Sequence, residues 1–196
     1  TGANTQIIFF EGKKYHVGGE TLDIGLGNAL DKFGRAIELG FPAGPKIEKL
    51  AKKGKYVKLP YSVKGQDPAF SGILTKAIEL YKKGTSKEDL CYSLQETTFA
   101  MLTEVTERAM AHCNKKEALL IGGVAANQRL IEMLSIMCKE RNAKFYAVPL
   151  KYSGDNGVMI AWQGLIQYKA NKKYYHKKRE IDIKPRQRID EVEVNW

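Results

Sequence analysis

Ala118-Leu119-Leu120-Ile121-Gly122-Gly123-Val124-Ala125-Ala126-Asn127 is the stretch on which the fold turns. Its first four residues are a short continuous apolar run, the pattern of a parallel strand covered on both faces. After Asn127, the residues Leu130, Met133, Leu134 and Met137 recur at i, i+3, i+4 and i+7, which predicts a helix. A buried strand, two glycines and a helix let backbone approach a flat ligand closely and aim free N–H groups at its polar atoms. The turn is neither G-x-G-x-x-G nor G-x-x-x-x-G-K-[ST], so two readings stay open. Either Gly122, Gly123 and Asn127 address a nucleotide, or the segment is a tight turn and Asn127 a helix cap.

Downstream, residues 144–148 read as a second strand closed by Pro149, and residues 158–169 as a helix. Asp155, in Gly154-Asp155-Asn156-Gly157, stands at the N-cap place of that helix. There an aspartate either caps the helix or, as a hard oxygen donor, holds a divalent metal beside phosphates. Upstream, residues 5–10 and 15–17 flank Glu11-Gly12-Lys13 as a β-hairpin. Thr1-Gly2-Ala3-Asn4-Thr5 lies at its mouth, small residues able to form a nest of donors for phosphate oxygens. No strand precedes Thr1, which reads as a point inside a larger protein.

Between these ends the sequence is helical. A helix over about 27–39 stops at Gly40, a short one opens at Pro45 and carries Ile47, Glu48 and Leu50, and a third spans 73–81. Ser86 and Asp89 make a capping box for a long helix to about residue 113, with Leu90, Leu94, Met101 and Val105 as its buried stripe.

At 196 residues and 43% hydrophobic the chain can bury a real core. No run nears the roughly 18 to 20 apolar residues of a membrane helix, and the N-terminus lacks a signal-peptide layout, so a soluble, cytoplasmic protein is expected. Cys91, Cys113 and Cys138 are odd in number and form no C-x-x-C pair, which predicts reduced core residues. His16, His112 and His176 supply no H-x-x-x-H or H-E-x-x-H pair. A net charge of +10 favours a polyanionic partner. Nine Lys/Arg between Lys169 and Arg188, laced with Tyr174, Tyr175 and His176, form a segment suited to a nucleic-acid backbone or simply a solvated end.

The motifs T-G-A-N-T-Q (1–6), G-E-T-L-D-I-G-L-G-N-A-L-D (19–31), L-P-Y-S-V-K-G-Q-D (59–67), S-L-Q-E-T (93–97), G-G-V-A-A-N (122–127), G-D-N-G-V-M-I-A (154–161) and D-E-V-E-V-N-W (190–196) occur in order along nearly the whole chain. With them the sequence resembles the C-terminal half of the tRNA threonylcarbamoyladenosine transferase family, of the type that is the catalytic subunit of the archaeal and eukaryotic KEOPS complex. The resemblance implies an α/β fold of the actin-like, sugar-kinase-like kind, here mostly the second lobe, with a mixed sheet flanked by helices. Residues 1–170 would form that lobe, with a helical insertion at about 27–113, and residues 171–196 a basic segment returning to the core.

It implies transfer of threonylcarbamoyl from threonylcarbamoyl-AMP to the adenosine beside the anticodon, with one divalent metal, iron or zinc, and an adenine nucleotide, threonylcarbamoyl-AMP or ATP. Implied partners are tRNA, a kinase-like ATPase and small dimerising subunits, and no membrane. By position, Thr1, Gly2 and Ala3 match the phosphate-side loop, and Asp31, Gly44 and Glu48 the ribose or base pocket. Gly122, Gly123 and Asn127 match the nucleotide turn, and Asp155 the metal-binding, catalytic aspartate. Read structurally, Asp31 would pair with Lys32 or Arg35, and Glu48 with Lys52. Ala3 departs from the family's glycine pair, and the family's histidine pair belongs to the first lobe. Residues 1–196 alone are therefore expected to lack a complete metal site and full activity. A catalytically incomplete nucleotide-binding or scaffold lobe is the other reading, with an actin-like ATPase behind it. A metallopeptidase finds no support, since no zinc-protease helix motif is present.

Overall fold

Beta-forming residues on both sides of Glu11-Gly12-Lys13 build the first hairpin of the computed structural model, which describes residues 1–154, 156–170 and 183–196. Strand β1 (Gln6–Glu11) pairs antiparallel with β2 (Lys14–Glu20). Gly12 and Lys13 both take positive φ, 59° and 64°, as a two-residue turn matched to strand twist requires. β2 runs on past Val17 through a register shift between Ile7 and Ile8, and its end is fixed where the Glu20 N–H donates to Asp67 (2.8 Å).

Helix α1 (Leu26–Ala36) buries Leu26, Ala29, Leu30 and Phe33 on one stripe, continued by Ile37 beyond its end. It stops before the expected residue 39 because Glu38 turns left-handed (φ 65°) and the Leu39 N–H reaches back to the Gly34 carbonyl (2.7 Å). The same backward wrap ends three more helices: α3 (Ser71–Lys82) at Gly84, α4 (Lys87–His112) at Asn114 and α5 (Gln128–Glu140) at Asn142. Between α1 and α3, the short α2 (Gly44–Ala51) starts with Pro45 in its first turn.

α4 is the axis of the core. Leu90, Leu94, Met101 and Val105 are fully buried as expected, and so are Cys91 and Phe99, because α2, α3 and α5 all pack around this helix. Only half of the expected capping box forms. Ser86 Oγ accepts from the Asp89 N–H (3.1 Å), but the Asp89 carboxylate accepts instead from the Lys55 N–H (2.6 Å), which pins the chain after α2 along α4. All three cysteines are free, and burial pushes the Cys91 thiol up to about 12. Cys91 and Cys138 are core residues.

Two strand expectations are corrected. Where one mixed sheet is expected, the described residues form three two-stranded sheets: β1–β2, then β3 (Val63–Lys64) with β4 (Asp67–Pro68), both antiparallel, and β5 (Glu117–Leu120) with β6 (Lys144–Ala147), parallel and joined by α5. Nor is the run 118–121 covered on both faces. Leu120 is 7% exposed within the core, whereas Leu119 and Ile121, alternating with it, are 62% and 51% exposed. A period of two sends those residues away from the α5 side of so narrow a sheet.

Helix α6 (Gly157–Ala170) is apolar yet exposes Val158, Ile160 and Trp162. Among the described residues no helix is long and apolar enough to cross a membrane. Most of the basic, aromatic run expected to meet a polyanion, residues 171–182, lies outside the described residues. Past it, Val194 N–H bonds to Lys13 O (2.9 Å), and Arg188 is committed to Glu20 (3.0 Å) and Asp190 (3.2 Å).

α3 has no cap in its own sequence: Phe70 precedes it, and the carboxylate of Asp23 accepts from the N–H groups of Phe70 and Ser71, both at 2.9 Å, and of Ile24 at 2.7 Å. Burial pushes this carboxyl up, but the three N–H donors outweigh it and hold its pKa below the ordinary value. A depressed folded pKa adds stability that is present above the unfolded pKa near 4 and disappears as pH falls through the folded value. Asp23→Ala is therefore expected to cost about 1 kcal/mol at neutral pH, the usual scale of a lost cap. It is also expected to flatten the loss of stability below about pH 4. Urea unfolding across pH 2–7 checks both, and an unchanged acid limb would count against the cap.

Candidate functional site

The expected nucleotide turn is built by one strained residue. Gly122 sits at φ 95°, and a Cβ there would collide with the Thr1 carbonyl, so only glycine lets the two chain segments touch. The Thr1 backbone nitrogen (2.8 Å) and its Oγ1 (3.1 Å) both donate to the Ile121 carbonyl. Gly2 O accepts from the Gly27 N–H (2.9 Å), Ala3 O from the Asn28 amide (3.2 Å), and Thr5 Oγ1 from the Leu26 N–H (2.9 Å). Thr1, Gly2, Ala3, Gly122 and Gly123, far apart in sequence, thus converge at the N-terminus of α1 and of the 3-10 turn Gly123–Ala126. With the Gly2 and Ala3 carbonyls engaged, the N–H groups of Gly2, Ala3 and Gly123 have no hydrogen-bond partner among the described residues. Gly2 and Ala3 offer these donors from the loop before β1 and Gly123 from the start of the 3-10 turn, since the Leu26 and Gly27 N–H groups of α1 are already bonded to Thr5 and Gly2.

Asp31 and Glu48 make bonds that neither expected pairing describes. Asp31 Oδ1 accepts from the Ala43 N–H (2.9 Å) at the start of α2, and Glu48 Oε1 accepts from the Gln128 N–H (2.9 Å) at the start of α5. Lys32, Arg35 and Lys52 make no ion pair with them, because the helix N-termini offer positive partial charge already fixed in place. One oxygen of each carboxylate is thereby anchored, and the other has no hydrogen bond among the described residues. A Cβ added at Gly44 or at Gly123 would meet nothing within 4 Å, so both backbones border open space.

Asn127 is 8% exposed and works as the cap of α5: its Oδ1 accepts from the N–H groups of Arg129 (2.9 Å) and Leu130 (3.3 Å). Its Nδ2 donates to Gln95 Oε1 (3.0 Å) in the core. Gln95 escaped the sequence reading, although a polar residue next to the apolar stripe of α4 was the available signal. Beside it, a cavity of about 580 Å³ opens between α2, α4 and α5. There Arg129 grips Glu96 through two bonds (2.8 and 2.7 Å) and pairs with Glu132 (2.7 Å), which holds its guanidinium pKa above the ordinary value.

Asp155 lies outside the described residues. Among the described residues no group of three or more His, Cys, Asp or Glu is placed to hold a metal ion, and His16 instead contacts the Glu11 carbonyl (3.2 Å). These residues alone do not fit a metal centre.

Comparison with known proteins supplies independent findings. The family of tRNA N6-adenosine threonylcarbamoyltransferase matches residues 1–162. The tRNA N6-adenosine threonylcarbamoyltransferase of Thermococcus sibiricus is 57% identical over 198 residues, covering all of this chain and 60% of that protein. That of Archaeoglobus fulgidus is 56% identical, with the same coverage. A probable bifunctional tRNA threonylcarbamoyladenosine biosynthesis protein of Methanocaldococcus jannaschii is 56% identical over all of this chain and 36% of its own length. The chain spans only part of the length of these relatives, between 36% and 60%. The crystal structure of T. kodakarensis HypF is similar at a TM-score of 0.57 and 23% identity, over 74% of this chain and 20% of that one, a likeness of fold alone.

The Gly122 junction yields a paired expectation. Gly122→Ala should destabilise by about 1–3 kcal/mol, the scale of a residue forced into a poorly allowed conformation. Gly123→Ala, which borders open space, should stay within about 0.5 kcal/mol. Denaturant unfolding of both variants checks this, and equal losses would contradict the assigned contact.

Proposed function

The chain belongs to the tRNA N6-adenosine threonylcarbamoyltransferase family, and on that premise we propose that it forms the second lobe of a transferase of the actin-like, sugar-kinase-like fold. Residues 1–170 are then the lobe, 27–113 its helical insertion and 171–196 a basic segment. The intact protein would work in the cytoplasm and move threonylcarbamoyl from threonylcarbamoyl-AMP to the amine of the adenosine next to the anticodon. The observation that supports this reading is the junction of the Thr1-Gly2-Ala3 loop with Gly122-Gly123, whose N–H groups at Gly2, Ala3 and Gly123 have no partner among the described residues, together with Asp31 and Glu48, each of which keeps one oxygen unengaged.

In this reading the N–H groups of Gly2, Ala3 and Gly123 hold the nucleotide phosphate, and the second oxygens of Asp31 and Glu48 accept from ribose hydroxyls beside the open backbone of Gly44. Asn127 sets the start of α5 against the adenosine. The acceptor amine attacks the carbamoyl carbon, the bond from that carbon to the phosphate oxygen breaks, AMP leaves, and the amine loses a proton. These backbone donors stabilise the charge that grows on the departing phosphate. Asp155 is proposed as this chain's contribution to a divalent metal, iron or zinc, that polarises the carbonyl when bound, with its other ligands from outside these residues. ATP is the other adenine nucleotide that fits the same donors.

The engagement of Asn127 with α5 and Gln95 favours one further reading, a catalytically incomplete lobe that holds nucleotide and scaffolds a tRNA-modification complex with a kinase-like ATPase and a small dimerising subunit. Transfer of labelled threonylcarbamoyl to tRNA by the intact protein with purified partners separates the two. Asp155→Ala is expected to lower transfer by about 10²–10³-fold, as losing one transition-state stabiliser does, with nucleotide affinity within threefold of wild type. Unchanged transfer would remove Asp155 from the catalytic machinery.

A further inference from the structure

Between residues 46 and 64 stand seven lysines, Lys46, Lys49, Lys52, Lys53, Lys55, Lys58 and Lys64, and a single acid, Glu48. All seven lysines are exposed. Glu48 bonds through one oxygen to the N-terminus of α5 and is one negative charge against seven positive ones. None of the seven forms an ion pair among the described residues; Lys46 Nζ bonds to the Leu39 carbonyl (2.6 Å). A helical lysine can pair with an acid three or four residues away, as Lys76 and Lys83 do with Glu79 on α3. Along residues 46–64 the only acid within the stretch is Glu48, and no such pair forms among the described residues.

The strip is also held in shape. Beyond α2 the chain carries no regular structure up to β3, yet it is fastened along α4: Lys55 N–H to Asp89 (2.6 Å), Val57 N–H to Ser93 Oγ (2.7 Å), and Leu59 buried at 4% exposure. With residues 57 and 59 turned toward α4, extended geometry sends Tyr56 and Lys58 outward, and both are exposed. Tyr56 is 57% exposed and Tyr61 52%, the latter tethered through its hydroxyl to Glu104, which is in turn paired with Arg108. Unpaired cations alternating with exposed rings on an ordered backbone combine attraction to phosphates with faces on which unpaired bases stack. Tyrosine faces also pack in protein interfaces, so RNA is chosen over an acidic protein because tRNA is the acceptor in the reading above.

We propose that residues 46–64 are an RNA-docking strip, in which Lys49, Lys53 and Lys58 contact tRNA phosphates and Tyr56 stacks on an unpaired base. This rests on tRNA being the acceptor in the reading above, and adds where the chain holds it.

The test is tRNA binding by the intact protein as a function of salt, comparing wild type with the triple variant Lys49→Gln, Lys53→Gln, Lys58→Gln. A control triple, Lys116→Gln, Lys139→Gln, Lys144→Gln, removes equal charge elsewhere. The strip variant is expected to bind tRNA at least tenfold more weakly near physiological salt, with the slope of log K against log salt shallower by about 2–3, because each phosphate contact contributes about 0.7–0.9. Its melting temperature and adenine-nucleotide affinity should match wild type. Tyr56→Ala should weaken binding severalfold while leaving the slope unchanged, the signature of stacking rather than charge. A strip triple no weaker than the control overturns the docking strip and leaves the transferase reading standing. Unchanged tRNA binding with lost retention of an acidic protein also overturns it. Wild-type protein that binds no tRNA overturns both.

Discussion

Helix N-termini expose backbone N–H groups that must find acceptors, and in this chain several of the acceptors come from somewhere else in the sequence. Thr5 receives the start of α1, Asp31 the start of α2, Asp23 the start of α3, and Glu48 together with Asn127 the start of α5. Asp67 and Asp89 do the same for β2 and for the segment after α2. Each such bond joins two elements through one oxygen and one N–H, so it fixes position as well as satisfying a donor. Apolar packing around α4 holds the helices together but is tolerant of sliding. The carboxylate-to-backbone bonds set where each helix begins relative to its neighbours.

That division explains what could be read in advance. Local signals were legible: Ser86 before α4, Asn127 before α5, the Gly12 turn, and the apolar stripes at Leu90 and Leu130 each act within one turn of the residues they organise. The family resemblance named the residues at the junction, but not how they meet. Bonds from Asp23 to Ser71 and from Glu48 to Gln128 cross 48 and 80 residues, and no periodicity records them. The i+4 pairing rule pointed Glu48 at Lys52, because a lysine nearby in sequence is visible and a helix terminus nearby in space is not. Asn114 and Asn142 stop helices by taking positive φ, 49° and 52°, a role that asparagine shares with glycine and that the glycine-led reading passed over. The alternation that leaves Leu119 and Ile121 exposed is likewise invisible in an unbroken apolar run.

The same bonds shape the candidate site. A carboxylate free in a cleft would swing among rotamers and lose that freedom on meeting a ligand. Asp31 and Glu48 have lost it already, because one oxygen of each is fixed to a backbone donor and the second is carried in a set direction. Gly122 plays the matching part on the phosphate side. Its left-handed backbone admits the Thr1 carbonyl, and this contact is what brings the Thr1-Gly2-Ala3 loop onto the 3-10 turn. Ala3 replaces a glycine expected in that loop, and its carbonyl is still held by Asn28. The loop is therefore fixed through carbonyl oxygens, which an added methyl group does not remove.

A final consequence concerns charge. The chain has 22 acidic residues against 32 basic ones, and several of the acids accept from backbone N–H groups of other elements. Lysine cannot replace them there, because an ammonium donates and never accepts. Such a bond leaves the carboxylate's charge in place: Asp89 accepts the Lys55 N–H and is still attracted to the Lys55 ammonium. Positive potential along residues 46–64 follows from seven exposed lysines against the single acid Glu48 within that stretch.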